Sequence, residues 1–196
     1  MPDWRSVQTW ELGLLQASSG LLYFGANTFL PDYLGSIALP GLLAIALATL
    51  NAAQVPASLV VGLLPWRVLS HPLSIVLNIV FTLVGIVALL SQRGVLIVIG
   101  AAIIGFTAAN ILVVCFALPA LLAGPRDIAR LSAGTFTISY CLVFTANLAA
   151  GALWDVTRQS AFAFLPVLVG GAFMAILGPR LLRAASLAQH VAGIGS

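Results

Sequence analysis

The chain has 196 residues, of which 61% are hydrophobic and only 7% are charged, and its mean hydropathy is +1.13. A soluble domain carries roughly a quarter charged residues, so this chain lacks the polar surface that a water-soluble fold needs. The net charge of +3 comes from eight arginines scattered singly between apolar runs, which argues against a nucleic-acid interface. We expect an all-α integral membrane protein whose surroundings are the lipid bilayer.

Six apolar stretches are long enough to span a membrane, because a helix needs about 20 mostly apolar residues for one passage. Proline, glycine and charged residues separate the stretches, as is typical of short connections. The predicted spans cover residues 10–33, 40–64, 72–91, 95–121, 131–153 and 160–181. We expect residues 1–196 to form a single six-helix bundle that ends in a short cytoplasmic tail, residues 184–196.

The placement of arginine predicts the orientation, since positive residues in short loops favour the cytoplasmic side. With six spans, Arg93 and Arg158 lie on one side of the membrane. The other side holds Arg5, Arg67, Arg126, Arg130, Arg180 and Arg183. We therefore expect cytoplasmic N- and C-termini and a multi-pass protein of the plasma membrane, of the bacterial inner-membrane type.

The two halves of the chain resemble each other weakly. The segment LPDYL at 30–34 is matched by LPALL at 118–122, 88 residues later, and shorter matches in the next two pairs of spans have offsets of 89 and 85. Chance similarity between apolar sequences stays open as an alternative. A true repeat of three spans, residues 8–92 and 94–183, would force an inverted 3+3 topology.

Polar residues recur at three- and four-residue steps in four of the six spans. In the first span Gln16, Ser19, Gly20, Tyr23 and Asn27 fall on one helical face. The first, second, fourth and fifth spans are thus predicted to line a wet cavity, and the third and sixth to face lipid. The predicted cavity residues are Gln16, Tyr23, Asn27, Asn51, Gln54, Thr107, Asn110 and Ser139. The alternative for each is a hydrogen bond between helices or to the helix's own backbone.

Small residues also recur in the second span. Ala44, Ala48 and Ala52 form a ridge that lets another helix approach closely, either within this chain or from a partner.

No motif predicts a cofactor or a metal site. The sequence has no glycine-rich phosphate loop and no cluster with metal-ligand spacing. Cys115 and Cys141 fall in separate apolar spans, so we interpret them as small buried hydrophobic residues.

Two segments carry a resemblance to a known family. LLQASSGLLYFGANTFLPDYL resembles the seventh helix of the major facilitator superfamily, and RLSAGTFTISYCLVFTANLAAGALWDVT resembles its eleventh helix, so nearly the whole chain is similar to the C-terminal half of such a transporter. The cyanate and nitroimidazole transporter group is the most similar part of that superfamily. Of the family's signature loop, Gly62 and Arg67 match and the remaining motif residues do not.

The resemblance implies a central cavity lined by the first helix of each triplet, with the second helices between two halves and the third helices outside. The chain is thus expected to be a transporter or half-transporter for a small polar or anionic solute, working by alternating access as a homodimer or with another six-helix half. Ala44, Ala48 and Ala52 would lie in the seam. The alternatives are a non-transporting fragment or subunit and, less favoured because His71 and His190 lie outside the spans, an intramembrane hydrolase.

Overall fold

The computed structural model describes residues 2–69, 71–124 and 126–191, and this part of the chain is almost entirely helical. Short 3₁₀ helices at Pro40–Leu42 and Ser160–Phe164 lead into the second and last α-helices. The α-helices are α1 (Val7–Ser36), α2 (Leu43–Ala52), α3 (Gln54–Leu63), α4 (Trp66–Leu69), α5 (Pro72–Leu90), α6 (Gly94–Leu122), α7 (Ile128–Thr157) and α8 (Leu165–Val191).

Five helical segments are long and apolar enough to cross a membrane. They are Pro40–Leu63, Leu73–Leu90, Gly94–Leu122, Ile128–Thr157 and Phe162–Ala188. These segments confirm the expectation of an all-α integral membrane protein; they account for five of the six predicted spans. α1 has the length of a span, 30 residues, but is the least apolar of the long helices.

The polar helix α1 lies at the centre of the bundle. It packs against α6, α7 and α8, and α6 in turn packs against α1, α2, α3 and α5. The first long helix of each half of the chain therefore contacts the second and third spans of the other half. Leu22 and Ile104 belong to one apolar core cluster around this crossing, and Leu12 and Met174 belong to a second.

Glycines allow the closest helix crossings. A Cβ on Gly105 of α6 would collide with the backbone carbonyl of Leu50 in α2, and one on Gly100 would collide with the carbonyl of Gly85 in α5. A backbone group cannot rotate aside as a side chain can, so these positions require glycine. The second and third spans are thereby held directly against α6.

The second span, predicted over residues 40–64, is one membrane-length helical segment, Pro40–Leu63, with a one-residue turn inside it. α2 ends at Ala52, Ala53 forms a turn, and α3 begins at Gln54. Pro56 provides the physical reason, because its ring carries no N–H and clashes with the carbonyl four residues earlier, that of Ala52. The break leaves Asn51 and Gln54 on either side of a turn inside the span.

Two expectations are corrected, and one short helix was not predicted. The connection after the second span contains a short helix, α4, that was not predicted. The predicted tail, residues 184–196, is helical up to Val191, and residues 192–196 lie outside the described part of the chain. Cys115 is buried as expected, but Cys141 is exposed on α7, because apolarity alone does not show which face of a helix meets its neighbours.

The contact between α1 and α8 can be tested at two adjacent glycines. A Cβ on Gly170 would lie 2.8 Å from the carbonyl oxygen of Ser18 and 3.1 Å from Cβ of Leu21, whereas a Cβ on Gly171 would meet nothing within 4 Å. We expect Gly170→Val to lower the free energy of unfolding by about 1–3 kcal/mol through overpacking. The matched control Gly171→Val should change it by less than about 0.5 kcal/mol. Denaturant unfolding in detergent micelles measures both, and equal losses would contradict the close approach.

Candidate functional site

A cleft of about 180 Å³ lies between α1, α3, α6 and α7. α6 contributes mainly apolar surface, including Leu112 and Phe116. None of the lining side chains is charged. The polar lining consists of Gln16, Ser19, Tyr23, Gln54, Ser139 and Tyr140.

Helical spacing and two glycines bring the α1 and α7 residues together. Gln16, Ser19 and Tyr23 follow each other at steps of three and four, so they share one face of α1. A Cβ on Gly13 or Gly20 of α1 would lie within 2.7 Å of side-chain atoms of α7. The absence of those Cβ atoms lets α7 lie directly on the face of α1 that carries Gln16.

Gln16 and Ser139 are the most informative residues of the cleft. They are only 3% and 4% exposed, and neither side chain makes a hydrogen bond within the described residues. Both line the cleft, so the cleft is where their donors and acceptors can be satisfied. Their polar atoms are not among the fully buried atoms without a partner, so they face the open space of the cleft, where a ligand can hydrogen-bond to them.

Ser19 has a different role at the bottom of the cleft. Its hydroxyl donates a hydrogen bond of 2.8 Å to the backbone carbonyl of Ala108. This bond joins α1 to α6 at the centre of the bundle. Ser19 is therefore a packing residue whose hydrogen bond is already made.

A second polar group links α1 to the broken span. The Tyr23 hydroxyl donates to Oδ1 of Asn51 over 2.8 Å, and Nε2 of Gln54 lies 3.4 Å from the same oxygen. The Asn51 amide donates to the carbonyl of Leu47 over 2.8 Å. Asn51 itself is exposed and orients the two cleft residues without lining the cleft.

Four residues predicted for the cavity do not line this cleft: Asn51, described above, and Asn27, Thr107 and Asn110. The Asn27 amide donates to the carbonyl of Tyr23 in its own helix over 2.9 Å. Thr107 is fully buried, and its hydroxyl donates to carbonyls one turn earlier in α6. Asn110 lines a separate crevice beside Asn78, between α3, α5 and α6, and its Oδ1 has no partner among the described residues. The structure thus does not bring Asn27, Thr107 and Asn110 to the predicted site.

The alanine ridge of α2 is exposed. Ala44, Ala48 and Ala52 all lie on the open surface of the chain, so the alternative of close packing within this chain does not hold.

The structure adds aromatic residues that the polar pattern did not indicate. Phe24, Phe116 and Tyr140 line the cleft together with Tyr23. Phe136 stands between Phe116 and Tyr140, with ring centroids 5.4 Å and 6.2 Å away. Phe136 and Tyr140 are four residues apart in α7, which is a signal that the sequence offered for this pair; Phe24 and Phe116 carry no such signal.

The bond between Ser19 and Ala108 gives a test of the central crossing. Ser19→Ala removes the interhelical hydrogen bond, and we expect a loss of about 0.5–1.5 kcal/mol in the free energy of unfolding. Ser58→Ala is the matched control, because the exposed Ser58 hydroxyl donates only to the Gln54 carbonyl of its own helix. Denaturant unfolding of both variants in one detergent checks this. A larger loss from Ser58→Ala than from Ser19→Ala would contradict the assignment.

Among the described residues, no group of three His, Cys, Asp or Glu side chains could hold a metal ion. The cleft itself offers uncharged hydrogen-bonding groups and aromatic walls. No family model, curated protein or solved structure matches this chain.

Proposed function

We propose that the chain is a six-span half of a secondary transporter that moves a small polar or anionic solute across the plasma membrane by alternating access. The observation that carries the proposal is the cleft, in which Gln16 and Ser139 are buried without partners. Four helices from both halves of the chain line it. An uncharged, hydrogen-bonding cleft among membrane helices can bind a small polar solute without the cost of a charged side chain inside the bilayer.

The helix packing supports an inverted 3+3 repeat in which α1, the first helix in chain order, is added to the five spans named above to make six. α1 packs on α7 and α8, while α6 packs on α2, α3 and α5. In each triplet, the first helix thus packs on the second and third helices of the other triplet, as two-fold symmetry between the triplets requires. Ser19 and Ala108, joined by a hydrogen bond, are 89 residues apart, close to the offsets of 88 and 89 between the repeated sequence segments. Two residues related by a two-fold symmetry axis can contact each other only if both lie near that axis, as Ser19 and Ala108 would. This agreement favours a repeat over chance similarity, and with it the resemblance to half of a major facilitator transporter.

Ion pairs support the proposed orientation. Arg130 lies 4.0 Å from Asp3, and Arg180 lies 3.1 Å from Glu11. These contacts bring the start of α1, the start of α7 and the later part of α8 to one end of the bundle. That end carries most of the arginines, so the proposal places it in the cytoplasm.

The exposed faces beside the cleft support the need for a second half, either a second copy or another chain. Exposed polar residues on α2, α3 and α7 include Asn51, Ser58, Thr137 and Tyr140, whereas the exposed face of α5 is made of apolar residues such as Val80. Polar side chains inside a membrane face protein or water in preference to acyl chains. The proposed seam therefore runs along the second and fifth spans and includes Ala44, Ala48 and Ala52.

The geometry gives little support to the alternative of an intramembrane hydrolase. The Ser18 and Ser19 hydroxyls donate to backbone carbonyls, and His71 is exposed at the start of α5, where its ring accepts from the N–H of Leu73. A nucleophilic serine needs a base within hydrogen-bond reach. The side chain of His190 lies outside the described part of the chain.

The orientation is tested by cysteine labelling in intact cells. In a Cys141→Ser background, we expect a membrane-impermeant maleimide to label Gln159→Cys and not Ala184→Cys, because the proposal places them on opposite sides. After the membrane is permeabilised, both should react. Labelling of Ala184→Cys in intact cells, alone or together with Gln159→Cys, would contradict a cytoplasmic C-terminus.

Transport is tested in liposomes that contain the purified protein and a panel of small uncharged amides and monovalent anions. We expect saturable flux of at least one solute, and a loss of about tenfold or more in Gln16→Leu, because a buried hydrogen bond to the solute is removed. Ser186→Ala, whose hydroxyl donates to the Leu182 carbonyl of its own helix α8 and lies away from the proposed seam, should keep the flux. Folded protein that moves none of these solutes would contradict the proposal and favour a non-transporting subunit.

A further inference from the structure

We infer that α3, the cytoplasmic half of the second span in the proposed orientation, is a gate that moves about Ala53 to open the cleft towards the cytoplasm. The inference rests on the proposed transport function and adds to it the segment that moves. It follows from the helix break, from the attachment of α3 to the bundle, and from the empty space beside α3.

The break between α2 and α3 gives the span a place to bend. α2 ends at Ala52 and α3 begins at Gln54, so a single residue joins the two helices. Pro56 has no N–H and cannot donate to the carbonyl of Ala52. The next bond, from the N–H of Ala57 to the carbonyl of Ala53, is long at 3.4 Å. Two of the hydrogen bonds that would hold a continuous helix straight are therefore missing or stretched.

The two halves of the span are attached to the bundle to different degrees. Leu50 of α2 is fully buried, and a Cβ on Gly105 of α6 would collide with its carbonyl, so the backbones of α2 and α6 touch. In α3 only Ala57 and Val61 are buried, and a Cβ on Gly62 would meet nothing within 4 Å. Hydrophobic stabilisation follows the buried apolar area, which is small for these two side chains. α3 can therefore move while α2 stays fixed on α6.

An empty crevice gives α3 room for this movement. The crevice has a volume of about 240 Å³ and lies between α3, α5 and α6, whereas the cleft lies between α3, α6 and the pair α1 and α7. On α6, Leu112 lines the cleft and Asn110 and Val114 line the crevice, and helical spacing puts them on different faces. The two spaces thus lie on either side of the contact between α3 and α6. A shift of α3 towards α5 would fill the crevice and widen the cleft.

A hydrogen-bonded cluster beside the hinge holds α3 near α1. The Tyr23 hydroxyl donates to Oδ1 of Asn51 over 2.8 Å, and Nε2 of Gln54, the first residue of α3, lies 3.4 Å from the same oxygen. α1, the end of α2 and the start of α3 therefore meet at Asn51. Loss of this cluster removes contacts that only the closed state makes, so it should raise the population of the open state.

Labelling of a cysteine in the cleft from the cytoplasmic side measures the population of the open state. Ser139 is only 4% exposed, so a membrane-impermeant thiosulfonate should modify Ser139→Cys only when the cleft opens. The measurement uses inside-out vesicles and a Cys141→Ser background. When opening and closing are fast relative to labelling, the labelling rate is proportional to the open fraction.

Two variants beside the hinge should change this rate in opposite directions. Asn51→Ala removes the hydrogen-bonded cluster and should raise the rate about fivefold. Pro56→Ala restores an N–H that can bond to the Ala52 carbonyl, so it should straighten the span and lower the rate about threefold or more. The control Asn27→Ala, which removes only a bond within α1, should leave the rate unchanged. A rise in both hinge variants, as general loosening would cause, or no change in either would overturn the inference.

Distances between spin labels test the movement of α3 without relying on the cleft. In the same background, labels on the exposed positions Leu63 and Leu187 compare α3 with α8, and labels on the exposed positions Ile45 and Val95 compare α2 with α6. By pulsed electron resonance of the full chain in lipid nanodiscs, we expect two distances or one broad distribution for the α3 pair. Pro56→Ala should narrow this distribution, and the α2 pair should show one narrow distance.

Equal widths for the two label pairs, or a width of the α3 pair that Pro56→Ala does not change, would overturn the gate. The result separates the gate from the transport function on which it rests. A mobile α3 in a chain that moves no solute would refute transport alone, whereas solute flux with a rigid α3 would refute only the gate.

Discussion

A polar helix at the centre of a membrane bundle must find a partner for each of its hydrogen-bonding groups, and this constraint on α1 organises the whole structure. Most of these groups have hydrogen-bond partners inside the protein. Ser18 and Asn27 bond to their own helix, Ser19 bonds to α6, and Tyr23 bonds to Asn51 at the end of α2. The Thr9 and Tyr33 hydroxyls, near the two ends of α1, are buried without a partner among the described residues. Gln16 is the group of α1 that lacks a partner and lines the cleft, where Ser139 of α7 also lies.

The close packing that satisfies α1 also shapes the cleft. Gly13 and Gly20 bring α7 onto α1, Gly170 brings α8 onto the opposite side, and Gly105 brings α2 onto α6. Because glycine has no side chain, the helices approach closely at these crossings. The cleft lies beside the crossings of α1 with α7, where longer side chains such as Gln16 and Tyr23 line it. The break at Ala53 has a related effect, since it places Gln54 in the cleft while Asn51 holds Tyr23 beside it.

The sequence predicted the parts of this arrangement that depend on composition and periodicity. Long apolar runs separated by short polar connections are what a bilayer demands, so the helices lie close to where they were expected, apart from their ends. Helical spacing correctly grouped Gln16 and Tyr23 on one face of α1, and Gln54 and Ser139 also reach the cleft. The same reasoning misplaced Asn27 and Thr107, because an amide or hydroxyl inside a helix can bond to the preceding turn of its own backbone.

Other features depend on the rotation of each helix against its neighbours, which periodicity does not determine. Asn110 follows Thr107 by three residues, yet it faces the crevice between α3 and α5, and Cys141 lies on the open side of α7. The aromatic walls were hidden for a related reason: in an apolar sequence Phe116 and Tyr140 resemble lipid-facing residues until their neighbours are known. The side of the bundle that carries Tyr140 exposes polar residues, whereas the side formed by α5 exposes apolar residues. Acyl chains have no donors or acceptors to offer Gln16 and Ser139, so the proposed second half has to exclude lipid from the cleft, and a solute that supplies both hydrogen-bonding groups would then complete it.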